Sequence, residues 1–126
     1  MARKKSAHLT DAELRLMEVL WKKGAATVGE VVEALEAETP LAYSTVLTTL
    51  RILENKGYVR HKKDGRAFVY KPVVHRGKAQ ESALKHLLRR FFEDSPELLM
   101  LNMMERRQIT AEQLTRLRKR IEEKKP

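Results

Sequence analysis

Small hydrogen-bonding side chains recur between residues 43 and 55 at a spacing that would gather them on one face of a helix. At about 100° per residue, this outward face holds hydroxyls, methyls, an amide and one guanidinium, from Ser44, Thr45, Thr48, Arg51, Ile52 and Asn55. Such hydroxyls can bond base edges or phosphates in the major groove of DNA, and a Thr methyl can touch the thymine methyl. The pattern favours a groove-reading helix, with an ordinary solvated helix as the alternative.

The opposite face of the same helix is predicted to pack inward. It carries Tyr43, Val46, Leu47, Leu50 and Leu53. Tyr43, at the start of the helix, is also included among the candidate DNA-binding residues.

A hairpin is predicted immediately after this helix. The segments 58–62 and 67–71 are rich in β-branched and aromatic residues, the Asp64-Gly65 pair between them is typical of a tight turn, and Pro72 ends the second strand. Cations gather at its tip: Lys62, Lys63 and Arg66. We expect them to contact phosphates or the adjacent minor groove. Lysines also protect edge strands from aggregation, and the two roles are compatible.

Helix starts are marked by capping residues. Thr10, Thr27 and Thr110 each stand three residues before Glu or Gln, as in a capping box, and Ser95 precedes Pro96. We predict helix 1 at about 11–23, helix 2 at about 28–38 and helix 3 from residue 42 or 43, with Gly24 and Pro40 as breaks. Three such helices followed by a hairpin form a winged helix-turn-helix domain, in which helix 3 enters the groove.

Long amphipathic helices are predicted beyond about residue 74. A segment of about fifty residues cannot bury the apolar faces of these helices on itself, so we expect a homodimer. The alternative is that the helices fold back onto the winged domain of the same chain. Candidate dimerisation residues are Leu87, Phe91, Leu98, Leu101, Leu114, Leu117 and Ile121. The predicted fold is mainly α with a small β-wing: a winged helix-turn-helix domain at 1–75 and a helical dimerisation segment at 76–126.

Composition bounds the function classes. The chain has 126 residues, with 26 Lys and Arg against 17 Asp and Glu, a net charge of +9 and a pI near 10.0. This favours a polyanionic partner, although cationic proteins need not bind nucleic acid. The absence of cysteine excludes disulfides and thiolate metal sites, and the four histidines lack ligand spacing.

No enzyme motif stands out, and we expect neither a catalytic site nor a cofactor. A winged helix that binds protein instead of DNA remains an alternative. No apolar run approaches the length of a membrane span, so we expect a cytoplasmic protein. Arg3, Lys4 and Lys5 form either an arm that reaches DNA or a solvated tail. Trp21 is interpreted as a core residue and not as a ligand-binding one.

Six short motifs stand out along the chain: Leu9–Glu13, Met17–Trp21, Tyr43–Val46, Thr48–Leu50, Lys56–Val59 and Gly65–Tyr70. Together they resemble the penicillinase-repressor family, also called BlaI/MecI/CopY. The resemblance runs from about residue 8 to about residue 122 and is most specific in the first 75 or so. It implies a winged-helix homodimer that binds palindromic operators and represses genes for antibiotic resistance or metal handling. It also implies groove contacts from Ser44, Thr45 and Thr48.

The family resemblance implies two kinds of inducer. Copper-responsive members carry a cysteine-rich metal site, which this chain lacks. Penicillinase repressors are cut in the dimerisation segment by a membrane-associated metalloprotease sensor, between Asn and an apolar aromatic residue. The matching bond here is Asn102-Met103, in which Met stands where the family has Phe. The alternative is that Asn102 is only a polar helix residue. The operator, the regulated genes and the inducing signal are not specified by the sequence.

Overall fold

A computed structural model of the protein describes residues 8–124. Over this range it is mainly helical with a small antiparallel sheet, which confirms the predicted fold class. The elements are α1 (Asp11–Lys23), β1 (Ala26–Thr27), α2 (Val28–Leu35), α3 (Tyr43–Asn55), β2 (Val59–Asp64), β3 (Ala67–Pro72), α4 (Arg76–Phe91), α5 (Pro96–Glu105) and α6 (Ala111–Glu123). The candidate basic arm, Arg3 to Lys5, lies outside the described residues.

The chain divides into two compact units, and the division falls within α4, between Leu84 and Lys85. We call them the winged unit, through Leu84, and the C-terminal unit, from Lys85. The predicted boundary at residue 75 stays a prediction.

The predicted caps start their helices. Thr10 Oγ1 accepts a hydrogen bond from the Glu13 N–H at 3.1 Å, and Glu13 Oε1 accepts one from the Thr10 N–H at 2.8 Å. Capping boxes of the same form begin α2 and α6, and Ser95 Oγ accepts the Leu98 N–H at 3.1 Å. These reciprocal bonds satisfy backbone donors that a helix start would otherwise leave without partners.

The second helix is shorter than predicted, because α2 ends at Leu35 and not near residue 38. The N–H groups of Glu36 and Glu38 bond carbonyls three residues back, at 3.3 Å each, so the chain tightens into turns. No apolar side chain large enough to join the core follows Leu35 until Leu41, and Pro40 disfavours helical geometry at Thr39.

One hydrophobic core holds the helices of the winged unit against its sheet. Its fully buried side chains are Leu16, Met17, Leu20, Val31, Val46, Leu50, Leu53, Val59 and Tyr70. Trp21 packs against this core, and its Nε1–H donates to the Val74 carbonyl at 2.9 Å, which confirms the predicted core role. The Arg76 guanidinium lies 4.8 Å from the Trp21 ring centroid.

The sheet has the order β1-β3-β2, and both pairings are antiparallel. Strand β1 was not predicted, because two residues are too short to show an alternating pattern. Strands β2 and β3 form the predicted hairpin, which we call the wing. Asp64 pairs with Ala67, so the turn consists of Gly65 and Arg66 and is not centred on Asp64-Gly65 as expected. Gly65 has φ = 64°, a conformation that suits a residue without a side chain.

The C-terminal unit contains the second part of α4 together with α5 and α6. No residue of α5 or α6, each of which is described in full, is buried. Large apolar side chains remain exposed in this unit, most of all Phe91 at 65% and Ile121 at 62%. Among the described residues, every helix is too short or too polar to cross a lipid bilayer.

Candidate nucleic-acid interface

The third helix presents the polar face that its sequence predicts. Val46, Leu50 and Leu53 are completely buried, whereas the outward residues are all exposed. These outward residues are Ser44, Thr45, Thr48, Arg51, Ile52 and Asn55. Because an inward face anchors the helix in the core, its outward hydroxyl, amide and guanidinium groups are held on a rigid support.

Tyr43 does not pack inward as the helical wheel predicts, since 57% of it is exposed. It is the first residue of α3, and helical side chains lean toward the helix N-terminus. The exposed ring is therefore part of the surface at the start of α3.

The start of α3 differs from the starts of its neighbours. Ala42 occupies the N-cap, no side chain among the described residues caps the helix, and its first turn has no acidic residue. The first-turn N–H groups and the positive end of the helix dipole are therefore open to water or to an anion. This is the local electrostatics that suits a phosphate group.

The wing carries its cations at the tip but not on one face. Lys62 and Lys63 are adjacent strand residues, so their side chains point to opposite sides of the hairpin, and Arg66 lies in the turn. Lys63 pairs with Phe68, on the same face as His61. All three cations are exposed. The structure thus brings the predicted wing cations together at the tip and splits the two lysines between its faces.

A carboxylate joins α3 to the middle of β2. Glu54 Oε2 accepts the His61 backbone N–H at 3.2 Å, and His61 Nδ1 lies 2.7 Å and 2.8 Å from the two carboxylate oxygens. The imidazole ring also meets Phe68 edge-on, with ring centroids 5.2 Å apart, and Tyr70 at 5.1 Å. Burial, followed by the negative charge of Glu54, raises the pKa of the Tyr70 hydroxyl, whereas Arg51 lowers it.

No sequence pattern indicates this pair. Glu54 and His61 lie seven residues apart, one at the end of a helix and the other in a strand. Neither the helical nor the strand periodicity applies across such a junction.

A second ion pair holds the C-terminal end of α3 to α1. Lys56 Nζ lies 2.8 Å from Glu13 Oε1, and the two side chains are 24% and 6% exposed. Burial raises the pKa of Glu13, but hydrogen bonds from Lys56 and from the Thr10 N–H, together with the charge of Lys56, lower it more, so that the net shift is downward. Burial, followed by the Glu13 charge, raises the pKa of Tyr58.

Side chains that could ligate a metal do not cluster in the described part of the chain. Within residues 8–124 no group of three or more His, Asp or Glu side chains could hold a metal ion. An open groove of about 820 Å³ lies in the winged unit. Its charged lining residues have both signs: Arg15, Glu18, Lys22, Lys23, Glu38 and Arg76. Such a mixture does not select one class of ligand.

The candidate dimerisation residues lie on the helices of the C-terminal unit. Five of them are exposed by 38% to 65%: Leu87, Phe91, Leu101, Leu117 and Ile121. Leu98 and Leu114 are half-buried. Asn102 and Met103 are also half-buried, inside α5, where the Asn102 side-chain amide donates to the Leu98 carbonyl at 3.1 Å.

Comparison with known proteins agrees with this geometry. The penicillinase repressor family model matches residues 9–123. The chain is 33% identical over 122 residues to the penicillinase repressor of Bacillus licheniformis, covering 97% of this chain and 95% of that protein. It therefore belongs to the penicillinase-repressor family, a family of DNA-binding transcriptional repressors, and it is not an enzyme.

Solved structures give the same fold. The DNA-binding domain of the repressor BlaI is 36% identical and superposes with a TM-score of 0.54, covering 60% of this chain and 93% of that one. The monomeric form of Bacillus licheniformis BlaI in complex with the blaP half-operator has the same identity and coverage, with a TM-score of 0.50.

Proposed function

We propose that this chain is a homodimeric repressor that binds a palindromic operator through α3 and the wing and is released by proteolysis of its C-terminal unit. The observation that carries the DNA-binding step is the outward face of α3, polar and exposed above a completely buried inner face. The open start of α3 and the cationic wing tip support it, because both suit phosphates that flank the groove.

The proposed DNA contacts divide into two kinds. Residues of the outward face, together with Tyr43 at its start, would read or approach base edges and phosphates. The wing cations would contact the backbone without reading sequence. The monomeric relative in complex with a half-operator supports one winged unit per half-site. The proposed partner is genomic DNA, which lies in the cytoplasm of bacteria such as the source of that relative. The proposal therefore includes a cytoplasmic location.

Dimerisation is proposed from the exposed apolar surface of the C-terminal unit. Phe91, Leu101 and Ile121 are each more than half exposed. On α6, Leu114, Leu117 and Ile121 follow one another at intervals of three and four residues, so they share one face. A second copy of the same helix is a partner that matches such a stripe. Joining two winged units would raise operator affinity by about 10² to 10⁴ through effective concentration.

Leu117→Glu in the full-length chain tests the dimer and the operator model together. Glu is a good helix former, so the change places a charge on the apolar stripe without disfavouring α6. We expect a monomer in analytical ultracentrifugation that binds a palindromic duplex about 100-fold more weakly, with half-site binding unchanged. Thr115→Glu is the matched control, since it adds the same charge to an exposed position on α6. A Leu117→Glu protein that still dimerises and binds normally would contradict the model.

Release is proposed to begin with local opening of α5. The Asn102 carbonyl accepts the Arg106 N–H at 3.0 Å, and the Met103 carbonyl accepts the Gln108 N–H at 2.8 Å. The bond between Asn102 and Met103 is therefore held in the last turn of a helix that buries no residue. Because proteases bind extended segments, fraying of this turn would precede cleavage.

A metalloprotease encoded beside the gene would be the cognate sensor in this proposal, and β-lactamase-type or related resistance and stress genes would be the targets. Co-expression of this chain with that metalloprotease, followed by mass spectrometry, should show fragments that end at Asn102. Met103→Phe should speed cleavage because it restores the aromatic residue that the resemblance implies. If the chain stays intact, or is cut at another bond, a repressor with a different inducer is favoured. The Met at position 103 already raises this second possibility.

If the chain does not bind the duplex, a protein-interaction module is favoured instead.

A further inference from the structure

We propose that Glu54 and His61 form a clamp that fixes the wing against the recognition helix, so that both engage one operator half-site together. This proposal rests on the proposed DNA-binding function. It assigns a positioning role to two residues that lie between the groove-reading face and the cationic wing tip.

The clamp holds β2 by its backbone and by its side chain at the same residue. The Glu54 carboxylate accepts the His61 N–H at 3.2 Å and meets the imidazole Nδ1 at 2.7 Å. Two contacts from one carboxylate restrict both the position of the strand and the rotation of the ring, as a bidentate contact does. Because Lys62 is the next residue along the strand, this restraint acts one residue away from the first of the wing cations.

The aromatic neighbours of His61 carry the restraint into the second strand. Its ring lies against Phe68 and Tyr70, with centroids 5.2 Å and 5.1 Å away. Phe68 pairs across the hairpin with Lys63, and Tyr70 is part of the core of the winged unit. The wing is therefore tied to α3 through Glu54 and to the core through Tyr70.

Charge gives the clamp a test with a distinctive sign. Glu54 is a half-exposed carboxylate on the proposed DNA-binding helix, where simple electrostatics makes it repel phosphate. If Glu54 acted only as a charge, removing it would strengthen DNA binding. If it acts as a clamp, removing its two contacts frees the wing and weakens binding.

Two substitutions separate these effects. Glu54→Ala removes the charge and both contacts and keeps a good helix former in place. Glu54→Gln removes the same charge, but its amide oxygen can accept the His61 N–H while its NH₂ donates to Nδ1 of a neutral imidazole. Gln is therefore the matched control for charge. The clamp predicts opposite outcomes for the two variants, whereas charge alone predicts the same outcome.

Binding of the full-length chain to a palindromic duplex would be measured by fluorescence anisotropy over a series of salt concentrations. For Glu54→Ala we expect about fivefold to twentyfold weaker binding near 150 mM salt and a salt slope that falls by about one or two, because fewer phosphates are contacted. For Glu54→Gln we expect binding at least as tight as that of the parent. The fluorescence of Trp21 on heating would check that each protein is folded.

A wing-neutral background tests whether the effect passes through the wing. In a chain with Lys62, Lys63 and Arg66 all changed to Gln, Glu54→Ala should cause no further loss, because the restrained cations are already gone. Should Glu54→Ala fail to fold, His61→Phe replaces it. This variant keeps the ring packing, removes the Nδ1 contact and should weaken binding about twofold to fivefold.

Several results would overturn the clamp. Binding by Glu54→Ala that equals or exceeds the parent's would do so, as would an equal loss in the parent and wing-neutral backgrounds. If the parent bound no duplex, the DNA-binding proposal would fail together with the clamp. A parent that binds normally and an Ala variant that binds equally well would overturn the clamp alone.

Discussion

Replacing Lys56 with Met should destabilise the winged unit more than replacing its partner Glu13 with Gln. The two side chains meet at 2.8 Å between α1 and the end of α3. The Glu13 side chain is 6% exposed and that of Lys56 is 24% exposed. Loss of Lys56 therefore leaves a buried carboxylate without its cation, whereas loss of the Glu13 charge leaves an ammonium that water can reach.

The magnitude follows from this unequal burial. Breaking a fully buried ion pair by removing one partner costs about 3–5 kcal/mol. Because Lys56 is partly solvated and Glu13 keeps its hydrogen bond from the Thr10 N–H, we expect about 2–3 kcal/mol for Lys56→Met. For Glu13→Gln we expect about 1–2 kcal/mol, the scale of one charged hydrogen bond. Lys78→Met, in an exposed pair with an N···O distance of 3.4 Å, is the control and should cost less than about 0.5 kcal/mol.

Acid should reduce the difference in unfolding free energy between the parent and the Lys56→Met variant. The hydrogen bonds and charge of Lys56 help to lower the pKa of Glu13 in the folded protein. Stability from a carboxyl group with a lowered pKa is fully present above its unfolded pKa and is lost as pH falls through the folded value. The gap between the two proteins should therefore be widest near neutral pH and should narrow as pH falls into that range.

Urea unfolding, followed by Trp21 fluorescence, measures these free energies, because Trp21 is anchored in the winged unit by its bond to Val74. A cost for Lys56→Met no larger than that of the Lys78→Met control would refute the reasoning from burial. A cost that stays constant from neutral to acid pH would refute the assignment of that cost to the Glu13 charge.

Two further predictions concern the proposed DNA-binding surface of the protein. Thr45→Ala or Thr48→Ala should weaken operator binding by about 1–3 kcal/mol in a mobility-shift assay without changing stability, since both residues are exposed; unchanged operator affinity in both would remove them from the recognition role. Changing Lys62, Lys63 and Arg66 together to Gln should weaken binding to all duplexes and flatten the dependence of log affinity on log salt, and a slope equal to the parent's would mean that the wing does not touch phosphate.

Local patterns predicted what depends on local physics. The capping threonines fixed the helix starts because a cap acts over three residues, and the inner face of α3 followed from its period. Tyr43 broke the pattern because periodicity assigns a direction to a residue but not the extent of the core beneath it. Strand β1 was missed because only its pairing with Tyr70 and Val69 makes it a strand.

The contacts that hold the site together could not be predicted in the same way. Glu13 and Lys56 are 43 residues apart, and each has a plausible local role, as a capping residue and as part of a helix end. Their pairing depends on how α1 and α3 pack. Glu54 and His61 depend likewise on the angle at which β2 leaves α3. The side chains exposed on the surface can therefore be predicted from the sequence. The contacts that hold α3 and β2 in position depend on tertiary packing and cannot.

The distribution of buried residues bears directly on how a cut could relieve repression. Every residue of the core that supports α3 and the wing, from Leu16 to Ala79, precedes the division at Leu84. A cut at Asn102-Met103 would remove Leu114, Leu117 and Ile121 and leave that core whole. Release would then arise from lost avidity, about 10² to 10⁴ in affinity, and not from unfolding of the DNA-binding unit. The cut repressor would keep its half-site specificity while losing the affinity that a palindrome provides.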